Sequence, residues 1–402
     1  MHRDSHNVHR DEKKVLISGG GIAGLTLGIL LKENGWDPLI VEKSPVLRPE
    51  GYMMDFFGTG WDVAERMGLT ADIERLPRPI DTLVYVDRRG NPRFPPVPIE
   101  RVRGALDGKY AYLRRPDLES ILFRRAGAAG VPVKFGVEIE RIHEGGSEAE
   151  VRFSDGTNDG FALLFGADGV HSRVRELAFG EESQFARFLG YYVAAFHFAR
   201  GAYDTGHSVD MFEEPCRICW AYPVGPDRME AGYAFCHEDV GHIPREKRLP
   251  FVKEQVRGMG WIAEELLRER DDEPLYFDSA TQIVMPSWHT DRVALLGDAC
   301  GCLTLLAGQG SHMAMAGAYV LAHELVRYDG HSRLAFPAYE QFMKPHVTAK
   351  QDEAARTAKA FVPRSRFEML YRYTLLRAAF SELFIRRLFA GFGAKSILAG
   401  YR

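Results

Sequence analysis

Cysteine is scarce and odd in number, with five among 402 residues. A chain of this size with so few thiols carries no disulfide framework, and it suits a reducing compartment, the cytoplasm. Long apolar runs are missing as well, so no segment reaches the ~20 residues a bilayer-spanning helix needs. Neither sign of charge dominates: 51 Lys and Arg stand against 55 Asp and Glu, a formal net charge of −4. That balance offers no electrostatic reason for nucleic-acid binding. The opening residues 1–13 lack the apolar core of a signal peptide and read as a loose polar arm.

Glycine, by contrast, is plentiful, with 40 residues, and it gathers where apolar runs end. Val15 to Ile17 enters a cluster in which Gly19, Gly21 and Gly24 fit G-x-G-x-x-G; a helix-period segment follows, and Leu39 to Val41 ends in Glu42. In such a strand, turn, helix and strand, the first glycine permits the turn and the second lets backbone approach a pyrophosphate. The third lets helix and strand pack closely, and the helix N-terminus offers N–H groups to phosphate. Glu42 sits where a carboxylate accepts hydrogen bonds from a ribose diol. Two more strand-to-helix junctions are expected, one at Asp168-Gly169 after the apolar run Phe161 to Phe165, the other at Gly297-Asp298 after Val293 to Leu296. Gly308, Gln309 and Gly310 then open a long helix, Met313 to Arg327. Asp168 also reads as a plain helix cap. The three junctions serve one ligand if their strands share a sheet.

Between Phe188 and Met285 the apolar pattern changes to period two and fills with aromatic residues, which predicts a mostly antiparallel sheet. The fold class expected is α/β: a Rossmann-like dinucleotide domain (14–80, 105–182 and 286–360), a sheet domain (81–104 and 183–285), and a C-terminal basic amphipathic helix (361–402). The hairpin expected between Thr82 and Ile99 has prolines that suit an edge. The glycine-loosened segment Arg48 to Leu69 reads as a loop before a helix, and Pro116 starts another helix. Pocket candidates on the sheet are Tyr192, His197, Met211, Phe212, Trp220, Tyr222, Tyr233 and Phe235, each with ordinary core packing as its alternative. Cys216 and Cys219 form C-x-x-C, but strand alternation points them to opposite faces, and no matched His/Cys pair at zinc spacing accompanies them, so no metal is expected. His171 and His312 adjoin glycine turns and read as local hydrogen-bonding residues. The C-terminal helix can lie on an anionic membrane surface as a weak peripheral contact; packing on its own protein is the favoured alternative.

Taken together and in this order, the Gly19-x-Gly21-x-x-Gly24, Gly166-Ala167-Asp168-Gly169 and Gly297-Asp298 motifs resemble the single-component flavoprotein aromatic hydroxylases of the p-hydroxybenzoate hydroxylase fold. The tetracycline-inactivating flavin monooxygenases look nearest, and the resemblance covers about residues 14 to 350. It implies FAD, NAD(P)H and O2, and hydroxylation of an aromatic or polycyclic small molecule through a flavin C4a-hydroperoxide. It also implies that Asp298 holds the ribityl chain, that Asp168-Gly169 serves both the FAD pyrophosphate and NAD(P)H, that Asp55 and Arg115 contact FAD, and that Arg48 meets NADPH. Relatives commonly carry His and Pro between Gly-Asp and Gly-Gln-Gly, where this chain has Gly301, Thr304 and Leu305, a change expected to widen the pocket. That departure keeps two alternatives open, an FAD-dependent reductase of isoprenoid double bonds and a non-catalytic FAD-binding protein.

Overall fold

Val15, Leu16 and Ile17 are fully buried, and a strand apolar at consecutive positions needs cover on both faces. The computed structural model, which describes residues 13–47, 51, 53–272, 275–304, 306, 308–378 and 395–401, supplies that cover. Strand Lys14–Ser18 is central in a five-stranded, wholly parallel sheet. The order is Val293–Leu295, Leu163–Gly166, Lys14–Ser18, Asp37–Glu42, Val133–Phe135. Helix Ile22–Glu33 lies on this sheet at close range, for a Cβ on Gly28 would stand 2.9 Å from Ile40 Cδ1. Helix Gly310–Arg327 packs on that helix through small buried residues, among them Ala314, Ala318 and Ala322. Because all five strands run the same way, the three glycine junctions leave adjacent strands at one edge of the sheet, the place where open α/β sheets bind ligands.

Two expectations need correction. Phe161 to Phe165 is not one strand: Asn158–Phe161 closes a three-stranded antiparallel sheet, and Leu163–Gly166 enters the parallel one. Ala162 is the switch between them, its N–H donating to the Lys14 carbonyl at 2.8 Å. The segment after Gly51 is not merely a loop, since Met53–Phe57 pairs antiparallel with Tyr110–Arg114 in a two-stranded ribbon. Neither run alternates in polarity and the partners are far apart in sequence, so only the ladder makes them strands.

The second layer is a seven-stranded sheet ordered Tyr276–Ile283, Ala186–Ala199, Arg228–Cys236, Arg217–Pro223, Ser208–Glu214, Thr82–Val86, Val97–Pro98. Its pairs are antiparallel except Ser208–Glu214 with Thr82–Val86. One face buries Phe196, Phe198, Phe212 and Phe235 beneath helices Arg245–Val256 and Ala263–Arg268. The other face buries Tyr191, Val193, Met211 and Ile218 against Met53 of the ribbon and against Ala358 and Val362 at the end of helix Ser332–Phe361. Of the expected C-terminal helix, Arg366–Ala378 is helical, residues 395–401 form turns and not helix, and residues 379–394 and 402, like the N-terminal arm through residue 12 and Arg48, lie outside the described residues. Among the described residues no helix is long and apolar enough to cross a membrane.

Candidate functional site

At the first junction two of the three glycines are required by the protein itself. Gly19 has φ +108°, and a Cβ there would come within 2.3 Å of the Ala167 carbonyl oxygen, while one on Gly24 would come within 1.9 Å of the Gly19 oxygen. Gly21 differs. Its nearest would-be neighbours, Glu119 Oε1 at 3.5 Å and Arg115 Nη2 at 3.8 Å, stand at ordinary contact distance. No clash demands glycine at that position, which lines a cavity. Glu42 Oε2 accepts from the Gly20 N–H at 2.8 Å, and Oε1 accepts from the Ser44 N–H at 2.9 Å. The carboxylate thus braces the turn and keeps a lone pair on each oxygen for a further donor.

At the second junction Ser172 is the N-cap of helix Arg173–Ala178, its hydroxyl oxygen accepting from the Arg175 N–H at 3.0 Å, and Asp168 adds to that cap. Its carboxylate accepts from the Arg173 N–H at 2.9 Å, the Val174 N–H at 3.1 Å and the Ser172 hydroxyl at 2.5 Å. Burial pushes its pKa up against those bonds. Gly169, at φ +85°, has nothing within 4 Å of where a Cβ would stand, so its backbone is what meets the open space. Sequence reasoning missed Arg175, fully buried, which donates to the Ala299 carbonyl at 3.0 Å, the Val170 carbonyl at 2.7 Å and Glu182 at 2.7 Å. It ties the second junction to the third.

At the third junction the Asp298 side chain is exposed to a cavity yet ringed by protein. Burial raises its pKa, and Arg115 draws it back. Its Oδ1 stands 3.7 Å from where a Cβ on Gly310 would be, at the N-terminus of helix Gly310–Arg327. Gly308, at φ +64°, again has open space beside it. Gln309 is buried. Beside Gly301 there is no open space, because Val347 fills its side: a Cβ there would meet Val347 Cγ1 at 2.7 Å.

These junctions share one cavity of about 370 Å3, walled by Gly21, Arg115, Asp168, Gly169, Asp298, Gly308 and Gly310, and on the far side by Tyr276, Ser279 and Thr281 of the seven-stranded sheet. Its polar lining is incomplete without a ligand. Thr304 and Ser311 both line it, and their buried hydroxyls have no hydrogen-bond partner among the described residues. Gly21, Gly169 and Gly308 in its lining, unpartnered hydroxyls and a helix N-terminus suit a phosphate-bearing, polyhydroxylated group such as a dinucleotide. Arg115 sits at the Gly21 end, paired with Glu119 at 2.8 Å. Asp55 is on the ribbon, accepting from the Tyr110 hydroxyl at 2.5 Å, and burial raises its pKa. His312 Nε2 donates to the Asp55 carbonyl at 3.0 Å, and burial lowers its pKa to about 4, so it is neutral near pH 7. His171, between Asp278 and Glu182, is instead raised to about 9.

The eight aromatic-sheet candidates divide by face. Tyr192, Phe212, Tyr233 and Phe235 belong to the cluster under the two covering helices, away from the ribbon. Met211, Trp220 and Tyr222 face the ribbon side. His197 joins them through Glu230 at 3.6 Å, to which the Tyr222 hydroxyl also donates. Residues overlooked on that face include Tyr85, Phe94 and Tyr373 of the C-terminal helix.

A parallel sheet whose neighbouring strand ends open into one glycine-lined cavity, roofed by a mostly antiparallel sheet, is the arrangement of a dinucleotide-binding protein. The chain belongs to the FAD binding domain family, whose model matches residues 12–349. A flavin-dependent monooxygenase from an unknown prokaryotic organism is 30% identical over 363 residues, covering 87% of this chain and 90% of that relative. The crystal structure of tetracycline destructase Tet(51) superimposes with a TM-score of 0.82 at 28% identity, covering 95% of this chain and 96% of that one. Klebsiella pneumoniae HpxO, crystallised with FAD and uric acid, shares the fold, with a TM-score of 0.75 at 20% identity over 97% and 98% of the two chains. The chain is therefore an FAD-dependent member of the flavin-dependent monooxygenases, acting on a small molecule with O2.

Proposed function

We propose that the enzyme uses NADPH and O2 to hydroxylate an aromatic or polycyclic small molecule. The observation that supports this is the shared wall: one cavity is bounded by the glycine junctions on one side and by the edge strand of the aromatic sheet on the other. FAD, when bound and reduced, supplies the oxygen-activating chemistry. The chain's own residues position and enclose. Glycine backbone at 21, 169 and 308 accepts the dinucleotide closely, while Asp298 and the Thr304 and Ser311 hydroxyls offer partners to its polyol. Neutral His312 pins the ribbon to the start of helix Gly310–Arg327 without adding a charge there. Met211, Trp220, Tyr222 and His197, on the ribbon-side face of the sheet, supply in this reading the apolar and polar groups that orient a substrate. In this reading residues 14–80, 105–182 and 286–360 form the FAD domain, 81–104 and 183–285 the substrate domain, and Arg48 meets an NADPH phosphate.

Turnover under 18O2 with a panel of phenols should place one labelled atom in the product. Arg48→Ala should slow anaerobic reduction by NADPH while leaving FAD content unchanged. Peroxide as the sole oxygen product, together with anaerobic reduction of an isoprenoid double bond, would replace this reading with the reductase.

A further inference from the structure

The sequence places Cys216 beside Cys219, but the fold pairs it with Cys236. Glu214 and Arg217 face each other across a tight hairpin, so Pro215 and Cys216 are its two turn residues. Arg217 is in register with Phe235 on the next strand. One step further, Cys216 lies opposite Cys236, and the Cys236 N–H donates to the Cys216 carbonyl at 2.9 Å. That backbone bond and the contact between the two thiols bring the pair within the reach of a disulfide. Cys219 faces the opposite side of the sheet and is wholly buried in the cluster under the covering helices. Both members of the Cys216 and Cys236 pair are partly exposed, whereas the other three cysteines are buried.

Two independent features mark the pair. Cys216 has φ +64°, a conformation glycine adopts freely and a residue with a Cβ does not, so a thiol is held where the turn would favour glycine. Arg364 stands over the row: its guanidinium lies 5.5 Å from the Tyr191 ring, and Tyr191 is in register with Cys236. The Cys216 N–H donates to the Pro363 carbonyl at 2.8 Å, bringing Arg364 to the thiols. Both thiols are partly exposed, so a peroxide can reach them beside that cation, and it is the thiolate form of such a thiol that reacts.

We propose that Cys216 and Cys236 form a modification site, a dithiol that hydrogen peroxide converts to a disulfide in the folded, FAD-loaded enzyme. The Cys216 thiolate attacks one peroxide oxygen; the O–O bond breaks, the second oxygen leaves as hydroxide and takes a proton to become water, and Cys216 is left as the sulfenic acid. Cys236 then attacks that sulfur, giving up its proton; the S–O bond breaks, the S–S bond forms and a second water leaves. Two thiols are oxidised by two electrons and one peroxide is reduced. Burial, and next the neighbouring Cys216 thiol, push the Cys236 thiol up to about 12, which suits the resolving rather than the attacking role. The inference rests on the proposed oxygenase only for its source of peroxide, released when oxygen transfer fails.

The test therefore adds peroxide from outside. FAD-loaded protein is exposed to stoichiometric hydrogen peroxide, denatured, alkylated and cut with trypsin. Cleavage after Arg200, Arg217, Arg228 and Arg245 places Cys216, Cys219 and Cys236 in three separate peptides. The expected result is a linked 201–217/229–245 pair that forms about tenfold faster than Cys219, Cys300 or Cys302 is oxidised, and that dithiothreitol reverses. Cys216→Ser and Cys236→Ser should each abolish the linked pair with flavin content unchanged. No linked pair in the wild type, or loss of the three buried thiols at the same rate, overturns the proposal whatever the enzyme proves to oxidise.

Discussion

The two sheets present their chemistry in different ways. At the parallel sheet the groups that line the cavity are mostly at strand ends, with glycines at 21, 169 and 308 among them. At the seven-stranded sheet they are side chains, and a residue's role turns on which face the pleat assigns it. Tyr192 and Tyr191 are neighbours in sequence and both are buried, yet one packs under the covering helices and the other toward the ribbon. A local motif can specify the first kind of site. The second is settled only when pairing is known.

The sharpest test of the contrast lies within the glycines. Gly24→Val should yield no folded protein, because the new Cβ meets the Gly19 carbonyl oxygen at 1.9 Å; soluble, cooperatively melting Gly24→Val protein would refute the assignment. Gly21→Val should melt cooperatively like the wild type and lose FAD affinity by roughly tenfold or more, read from flavin absorbance after dialysis. If it instead retains flavin, the cavity beside Gly21 is not the pyrophosphate's.

On the other sheet, Phe235→Ala should cost about 3–5 kcal/mol in chemical denaturation as a core deletion, with KM of the folded enzyme unchanged. Trp220→Ala, on the opposite face, should do the reverse: little loss of stability and a raised KM for aromatic substrates. Equal stability costs with unchanged KM in both would erase the distinction between faces.

The smallest effect concerns His312. Its folded pKa of about 4 lies below the ordinary 6.5, so between those values the unfolded chain binds the extra proton. Stability from this group is therefore lost as pH falls, by at most about 1.4 kcal/mol per pH unit. His312→Phe keeps a ring between Phe56 and Phe57 and should flatten that part of the curve, measured by urea midpoints from pH 7 to pH 5.

Legibility in the sequence follows the same division. The three junctions are readable from the residues alone because strand, glycine and helix signals are contiguous, and their convergence needs only that the strands share a sheet. The ribbon Met53–Phe57 with Tyr110–Arg114 is not readable in this way, since the Met-Met-Asp-Phe-Phe run carries no period and its partner is remote. The faces of the aromatic sheet stay hidden for a related reason: the long strand Ala186–Ala199 shifts register against Tyr276–Ile283 between Phe188 and Tyr192. Counting alternation along such a strand does not survive the bulge. Arg175 is the one overlooked residue with a usable signal, an arginine seven residues after Asp168 in a strand-to-helix turn, though its targets are carbonyls that no sequence displays.

That arginine has a consequence for how the enzyme is assembled. A buried guanidinium holding Val170 and Ala299 by their carbonyls sets the spacing of the second and third junctions from within the chain. The entropy of ordering those turns is spent when the polypeptide folds, not when the flavin arrives. Protein stripped of its flavin should therefore keep a cooperative thermal transition and take FAD back on addition; a lost transition would show that the turns are ordered by the flavin instead.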